Sequence, residues 1–263
     1  MPTVQANGVE FNYVVEGPEG APWITFSNSL ATNVTMWDDQ AALLAGDWRV
    51  LRYDQRGHGG TEATKPPYSF DLLVSDVIAL WDALKVESGV FCGLSMGGTT
   101  GLGLAIGHGD RLRALIACDC RCDSPPGFRD AWDQRIAMAK EKGMAGMADP
   151  TVSRWFNESF LTEGRETCDK VRGMVATTSL DGFIGCANAL QNIAYRDALP
   201  AIAVPTLFIV GAQDPAANPD YIGPMKDVVP GAQMAVVDPA GHISNMENPK
   251  QFNAALTGFL ATL

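Results

Sequence analysis

Residues 90–100 read VFCGLSMGGTT. An apolar run leads into Ser95, glycines stand two places before and two places after it, and small residues follow. The preceding stretch, SGVFCGLS (88–95), has the composition of a buried strand, and GGTTGLGLAIGHG (97–109) suits a helix packed closely on a sheet. A sharp turn between the two crowds the backbone, and glycine removes the Cβ atoms that would clash there. G-x-S-x-G between a strand and a helix is the pattern of a nucleophile elbow. In such a turn a strained serine stands above the carboxyl edge of a sheet, beside the amide N–H groups of a helix start. The glycines do not read as a phosphate loop, because no GK[ST] follows them.

The same alternation of strand and helix extends on either side. VEFNYVVEG (9–17), PWITFS (22–27) and WRVLRYD (48–54) read as strands, with a helix over 33–46 stopped by Gly46. SFDLLVSDVIALWDALKV (69–86) places apolar residues on one helical face, with Ser69 or Asp71 as N-cap. LRALIACD (112–119) is a further buried strand. From Arg121 to Arg196 the alternation stops, and helical stretches are predicted around 127–142, 144–149, 151–160, 165–176 and 181–194. It resumes with strands at 204–211 and 231–238 and helices at 220–229 and 248–263. Repeated strand–helix units predict an α/β fold with a mainly parallel sheet covered by helices on both faces. The domain organisation expected is a core of 1–120 and 197–263 with an inserted helical cap at 121–196.

A serine hydroxyl needs a base to act as a nucleophile at neutral pH. The chain has three histidines. His242 lies between the last strand and the last helix, on the edge where a parallel sheet gathers its strand ends. His58 shares that edge but is expected to tie down its own turn, and His108 lies about three helical turns from Ser95. A carboxylate must orient the base. Asp214 follows the strand 204–211, so the chain order is Ser95, Asp214, His242; Asp119 is the alternative acid, and Asp54, Asp220 and Asp238 compete more weakly. The backbone N–H groups of Met96 and Leu30 are expected to face a developing oxyanion.

The chain has 263 residues, enough for one large domain, and carries a net charge of −11. That field repels nucleic acid and anionic membranes, so neither is an expected partner. No basic segment followed by an apolar run opens the sequence, so no secretory leader is expected. No stretch is apolar enough to cross a bilayer. Six cysteines read as reduced thiols, which favours a cytoplasmic location. In CDCRC (118–122) a continued strand would turn all three sulfurs to one face, but with so few histidines and no CxxC pair no metal is expected.

NSLATNVTMWDDQ, YDQRGHGGT, FCGLSMGG, VPTLFIVGAQDP and GHISNMENP, in that order, resemble the α/β-hydrolases across nearly the whole chain, and most of all the 3-oxoadipate enol-lactonases. Asn28-Ser29 stand where that fold commonly has His-Gly, a change that spares a backbone donor. The resemblance implies an eight-stranded sheet and a cap over the site. It also implies cofactor-free hydrolysis of a small ester or lactone, by an acyl-enzyme on Ser95, in aromatic catabolism. Carboxylesterases, other lactonases, perhydrolases, C–C hydrolases and ligand receptors share the scaffold. Arg121 is the candidate for binding a substrate carboxylate, and Trp132, Trp155 and Met147 are candidates for an apolar pocket wall.

Overall fold

The computed structural model describes residues 1–263. Eight strands form one sheet: β1 Thr3–Ala6, β2 Val9–Glu16, β3 Trp23–Ser27, β4 Arg49–Tyr53, β5 Gly89–Leu94, β6 Leu112–Cys118, β7 Thr206–Gly211 and β8 Gln233–Val237. Their spatial order is β1-β2-β4-β3-β5-β6-β7-β8. β1 and β2 pair antiparallel, as do β2 and β4, and every later pairing is parallel. β5 and β7 are buried along their whole length, which is why they read as unbroken apolar runs rather than alternating ones.

The helices are α1 Asp38–Leu44, α2 Phe70–Ala83, α3 Met96–Gly107, α4 Pro126–Trp155, α5 Glu158–Glu163, α6 Arg165–Thr177, α7 Leu180–Gln191, α8 Pro219–Val228, α9 Ser244–Glu247 and α10 Pro249–Leu260. Ser69 caps α2 by accepting from the Leu72 amide. Asn218 and Asn248 cap α8 and α10 in the same way, each followed by proline at the first helical position. Two apolar clusters sandwich the sheet, and the larger runs on into the helices of α4 to α7.

These four helices form a layer over the carboxyl edge of the sheet. Of the breaks that the sequence places at 143 and 150, the structure has the first and lacks the second. Residues 144–155 continue through Pro150 as one helical stretch, and the interruption falls at Gly143, whose φ of 68° and ψ of 174° belong to glycine alone. The chain leaves and rejoins the sheet through a narrow neck. There Asp123 bridges Ala194, the Tyr195 amide donates to the Cys122 carbonyl at 2.8 Å, and Arg196 pairs with Asp123 at 2.6 Å.

The cysteine run does not continue the strand. β6 ends at Cys118, and Asp119 takes φ 46°, a left-handed conformation that breaks the alternation. Cys118 therefore packs in the larger cluster with Cys92, while Cys120 and Cys122 pack in the smaller one. All six cysteines are free and buried. No helix is long and apolar enough to cross a membrane.

Candidate active site

Ser95 stands between β5 and α3 with φ 57° and ψ −113°. For a residue with a Cβ this is a strained backbone, held by what surrounds it. The Ser95 amide donates to the Cys118 carbonyl at 2.8 Å, and the Gly97 amide donates to the Asn28 carbonyl at 3.1 Å. A Cβ on Gly93 would overlap the Gly97 carbonyl, and one on Gly97 would overlap the Ser27 carbonyl. The glycines of the opening motif are thus required on both flanks, one by the turn itself and one by the end of β3.

His242 Nε2 lies 2.9 Å from Ser95 Oγ, and its Nδ1 lies 2.8 Å from Asp214 Oδ2. The geometry suits Nδ1–H donating to Asp214, which leaves Nε2 to accept from the serine hydroxyl. Asp214 is fully buried, and its Oδ1 accepts from the Ala216 amide at 2.7 Å. Asp119 does not reach the histidine. It accepts from the Gly211 amide at 2.7 Å and from the Ser244 hydroxyl at 2.5 Å, bracing the loops that carry Asp214 and His242. Burial, and then the nearby charge of Asp214, push its carboxyl far above the usual range.

The other acidic and histidine candidates serve elsewhere. Asp54 accepts from the Val34 and Gly60 amides and from Asn12. Asp220 and Asp238 are exposed. His58 is buried with Nδ1 3.0 Å from the Arg56 carbonyl, and burial pulls its pKa down to about 4. His108 closes the C-terminus of α3.

A pocket enclosing about 40 Å³ opens above Ser95, with Leu30 and His242 in its wall. Met96 opens α3 directly after the serine. Trp132 and Trp155 line the pocket from the helical layer, and the Trp155 ring packs against His242 with centroids 6.0 Å apart. Met147 does not reach it. It is buried among the helices of the layer, because the stretch after the Gly143 kink turns it into that core.

Arg121 also lines the pocket, but its guanidinium is committed. It donates to the Ala216 carbonyl at 2.7 Å, pairs with Asp123 at 3.3 Å and stacks on Tyr221 at 3.9 Å. Since Ala216 also holds Asp214, Arg121 props the loop of the acid rather than offering a vacant cation.

Arg135, which the sequence pattern does not single out, is a cation of this pocket without a counter-charge, as is Arg154. It is partly buried, lines the same pocket, and is accompanied by Arg154. Burial, and then the positive charge of Arg154, lower its pKa, and no carboxylate offsets them. The signal lay in its position three residues after Trp132, on one helical face.

A model of the alpha/beta hydrolase family matches residues 20–255. Two relatives from Acinetobacter baylyi are similar over nearly full length. 3-Oxoadipate enol-lactonase 2 is 36% identical, with 97% of this chain and 94% of the relative covered. 3-Oxoadipate enol-lactonase 1 is 33% identical, with 97% and 95% covered. The crystal structure of the enol-lactonase from Burkholderia xenovorans LB400 superposes with a TM-score of 0.94 at 38% identity, over 99% of this chain and 100% of that one. The chain belongs to the alpha/beta hydrolase family and is a hydrolase similar to the 3-oxoadipate enol-lactonases.

Proposed function

We propose that this hydrolase opens a small enol-lactone bearing a carboxylate, with 3-oxoadipate enol-lactone as the substrate to test first. The observation that carries this reading is Arg135, an unpaired cation facing the same pocket as Ser95 and His242. A buried cation without a counter-ion is costly, and an anionic substrate would supply the counter-ion. The similarity to two named enol-lactonases supports the choice of lactone.

In this reading Ser95 Oγ attacks the lactone carbonyl while His242 Nε2 takes its proton. Asp214 holds the imidazole in the required tautomer and stabilises the imidazolium. The amides of Met96 and Leu30 hold the tetrahedral oxyanion, a pair whose members are each worth about 3 kcal/mol. The ring oxygen leaves with the proton from His242 and remains tethered through the acyl chain. Water, deprotonated by the same histidine, then attacks the acyl-enzyme and frees the open-chain acid. The helical layer acts as a cap spanning 121–196, with Trp132 and Trp155 as its apolar wall, and no cofactor takes part. A cytoplasmic place in aromatic catabolism accords with the free cysteines, and because the chain as a whole is acidic, an anionic substrate depends on the local cations of the pocket.

The test is hydrolysis of 3-oxoadipate enol-lactone and of p-nitrophenyl acetate by wild type and Ser95→Ala. The expected result is a kcat/KM above roughly 10⁴ M⁻¹s⁻¹ on the lactone and at least a ~10³-fold loss in the variant. Turnover of the neutral ester alone would make the protein a carboxylesterase and overturn the lactone assignment.

A further inference from the structure

We propose that Glu247 is a positioning residue that clamps the helical layer to the loop carrying His242, so that base and pocket wall move as one body. The proposal rests on the hydrolase reading of Ser95 and His242. Glu247 lies in α9, five residues after the histidine; it does not line the pocket, and its side chain makes no hydrogen bond to Ser95, Asp214 or His242. Its carboxylate nevertheless joins the two halves of the site. Oε1 accepts from the Asn157 amide at 2.9 Å, just past the end of α4. Oε2 accepts from the Gly241 amide at 2.6 Å, beside His242.

A second strand of contact runs parallel to this bridge. The His242 amide donates to the Trp155 carbonyl at 2.7 Å, and a Cβ on Gly241 would overlap that same carbonyl. The glycine is required here by the close approach of α4 to the histidine loop. From the core side, Ser244 is held by Asp119. His242 is therefore gripped from below by the sheet and from above by the layer, and Glu247 is the only side chain that bonds to both the layer and the loop.

Charge-assisted bonds to backbone amides are among the stronger hydrogen bonds, and a base displaced by about 1 Å loses much of its effect. If the clamp opens, Trp155 and Arg154 leave the pocket and the Trp155 carbonyl no longer fixes the His242 backbone. The proposed role separates position from mere stability: the defect should appear in turnover per intact site.

The experiment measures kcat and KM on p-nitrophenyl acetate, per Ser95 titrated with a fluorophosphonate, for wild type and Glu247→Gln. The expected outcome is a kcat per titrated serine about tenfold lower, with KM changed less than about twofold. An unchanged kcat per titrated serine, with only Tm lowered, would overturn the proposal. A second pair removes the partner amide instead. Asn157 has φ −69° and follows a residue at φ −108°, ψ 150°, so proline fits the backbone there. Asn157→Ala keeps the N–H and loses the side-chain bonds to the Phe160 amide and the Ser159 hydroxyl, whereas Asn157→Pro loses these and the N–H as well. The proline variant is expected to turn over several-fold more slowly than the alanine variant, and equal rates would overturn the clamp. A wild type that fails on p-nitrophenyl acetate and does not react with the fluorophosphonate would overturn the hydrolase reading itself, and the clamp with it.

Discussion

The Arg135 guanidinium lies over the Trp132 ring, 4.2 Å from its centroid. The stacking orients a cation toward the pocket without neutralising it. Arg135→Ala is therefore expected to raise KM for a carboxylate-bearing lactone by about 10- to 100-fold, the range of a charge-assisted hydrogen bond. Turnover of neutral p-nitrophenyl acetate should stay within about twofold. Equal losses on both substrates would assign Arg135 to packing.

Trp155 contributes its ring to the wall and its carbonyl to His242. Trp155→Phe keeps the carbonyl and shrinks the ring. KM for the lactone should rise several-fold while kcat holds within about threefold. A collapse of kcat instead would mean that the ring, and not the backbone contact, places the base.

Gly97→Ala puts a methyl group against the carbonyls of Ser27 and Asn28, at the start of the loop that carries Leu30. Displacing an oxyanion donor is expected to reduce kcat by about 10²-fold, together with a lowered Tm. Near-normal kinetics in a folded Gly97→Ala protein would remove Leu30 from the proposed oxyanion site.

His58 is buried with a pKa lowered to about 4, against 6.5 for a free histidine. Between these values the unfolded chain binds the proton and the folded chain does not, so stability falls as pH drops from 6.5 toward 4. The full loss approaches about 3 kcal/mol by pH 4. In urea titrations at pH 7, 6, 5 and 4.5, wild type should lose stability more steeply than His58→Gln. Parallel curves would place the acid sensitivity in other groups.

Much of the framework is legible in the residues because the parallel strands are buried on both faces and the main core helices carry caps or amphipathic stripes. The strand β1 escaped because TVQA is short, mostly exposed and paired only at the sheet's edge. The cysteine alternation failed at Asp119, where tertiary contacts with Gly211 and Ser244 hold a backbone conformation that propensity does not anticipate. Ser95, Asp214 and His242 each follow a strand of one parallel sheet, so topology alone gathers them at one edge. Arg135 was hidden for a different reason. A lone arginine on a helix reads as solvated, and only the folded layer shows which face is turned inward. Met147 shows the converse, since a kink at Gly143 re-aims the residues that follow it.

The neck at Asp123, Ala194 and Arg196 brings the two ends of the helical layer together, so the insertion leaves and re-enters the core at one place. Because its two ends are already fastened together, the chain crosses between core and layer at one short junction, and Trp155 and Asn157 tie the layer to the histidine loop a second time. Closing a longer or shorter insertion at such a junction changes the chain entropy only slowly with length. A change in the length of the insertion is thus expected to cost little where it falls away from Trp155 and Asn157, and to disturb the serine's partners where it shifts either of them.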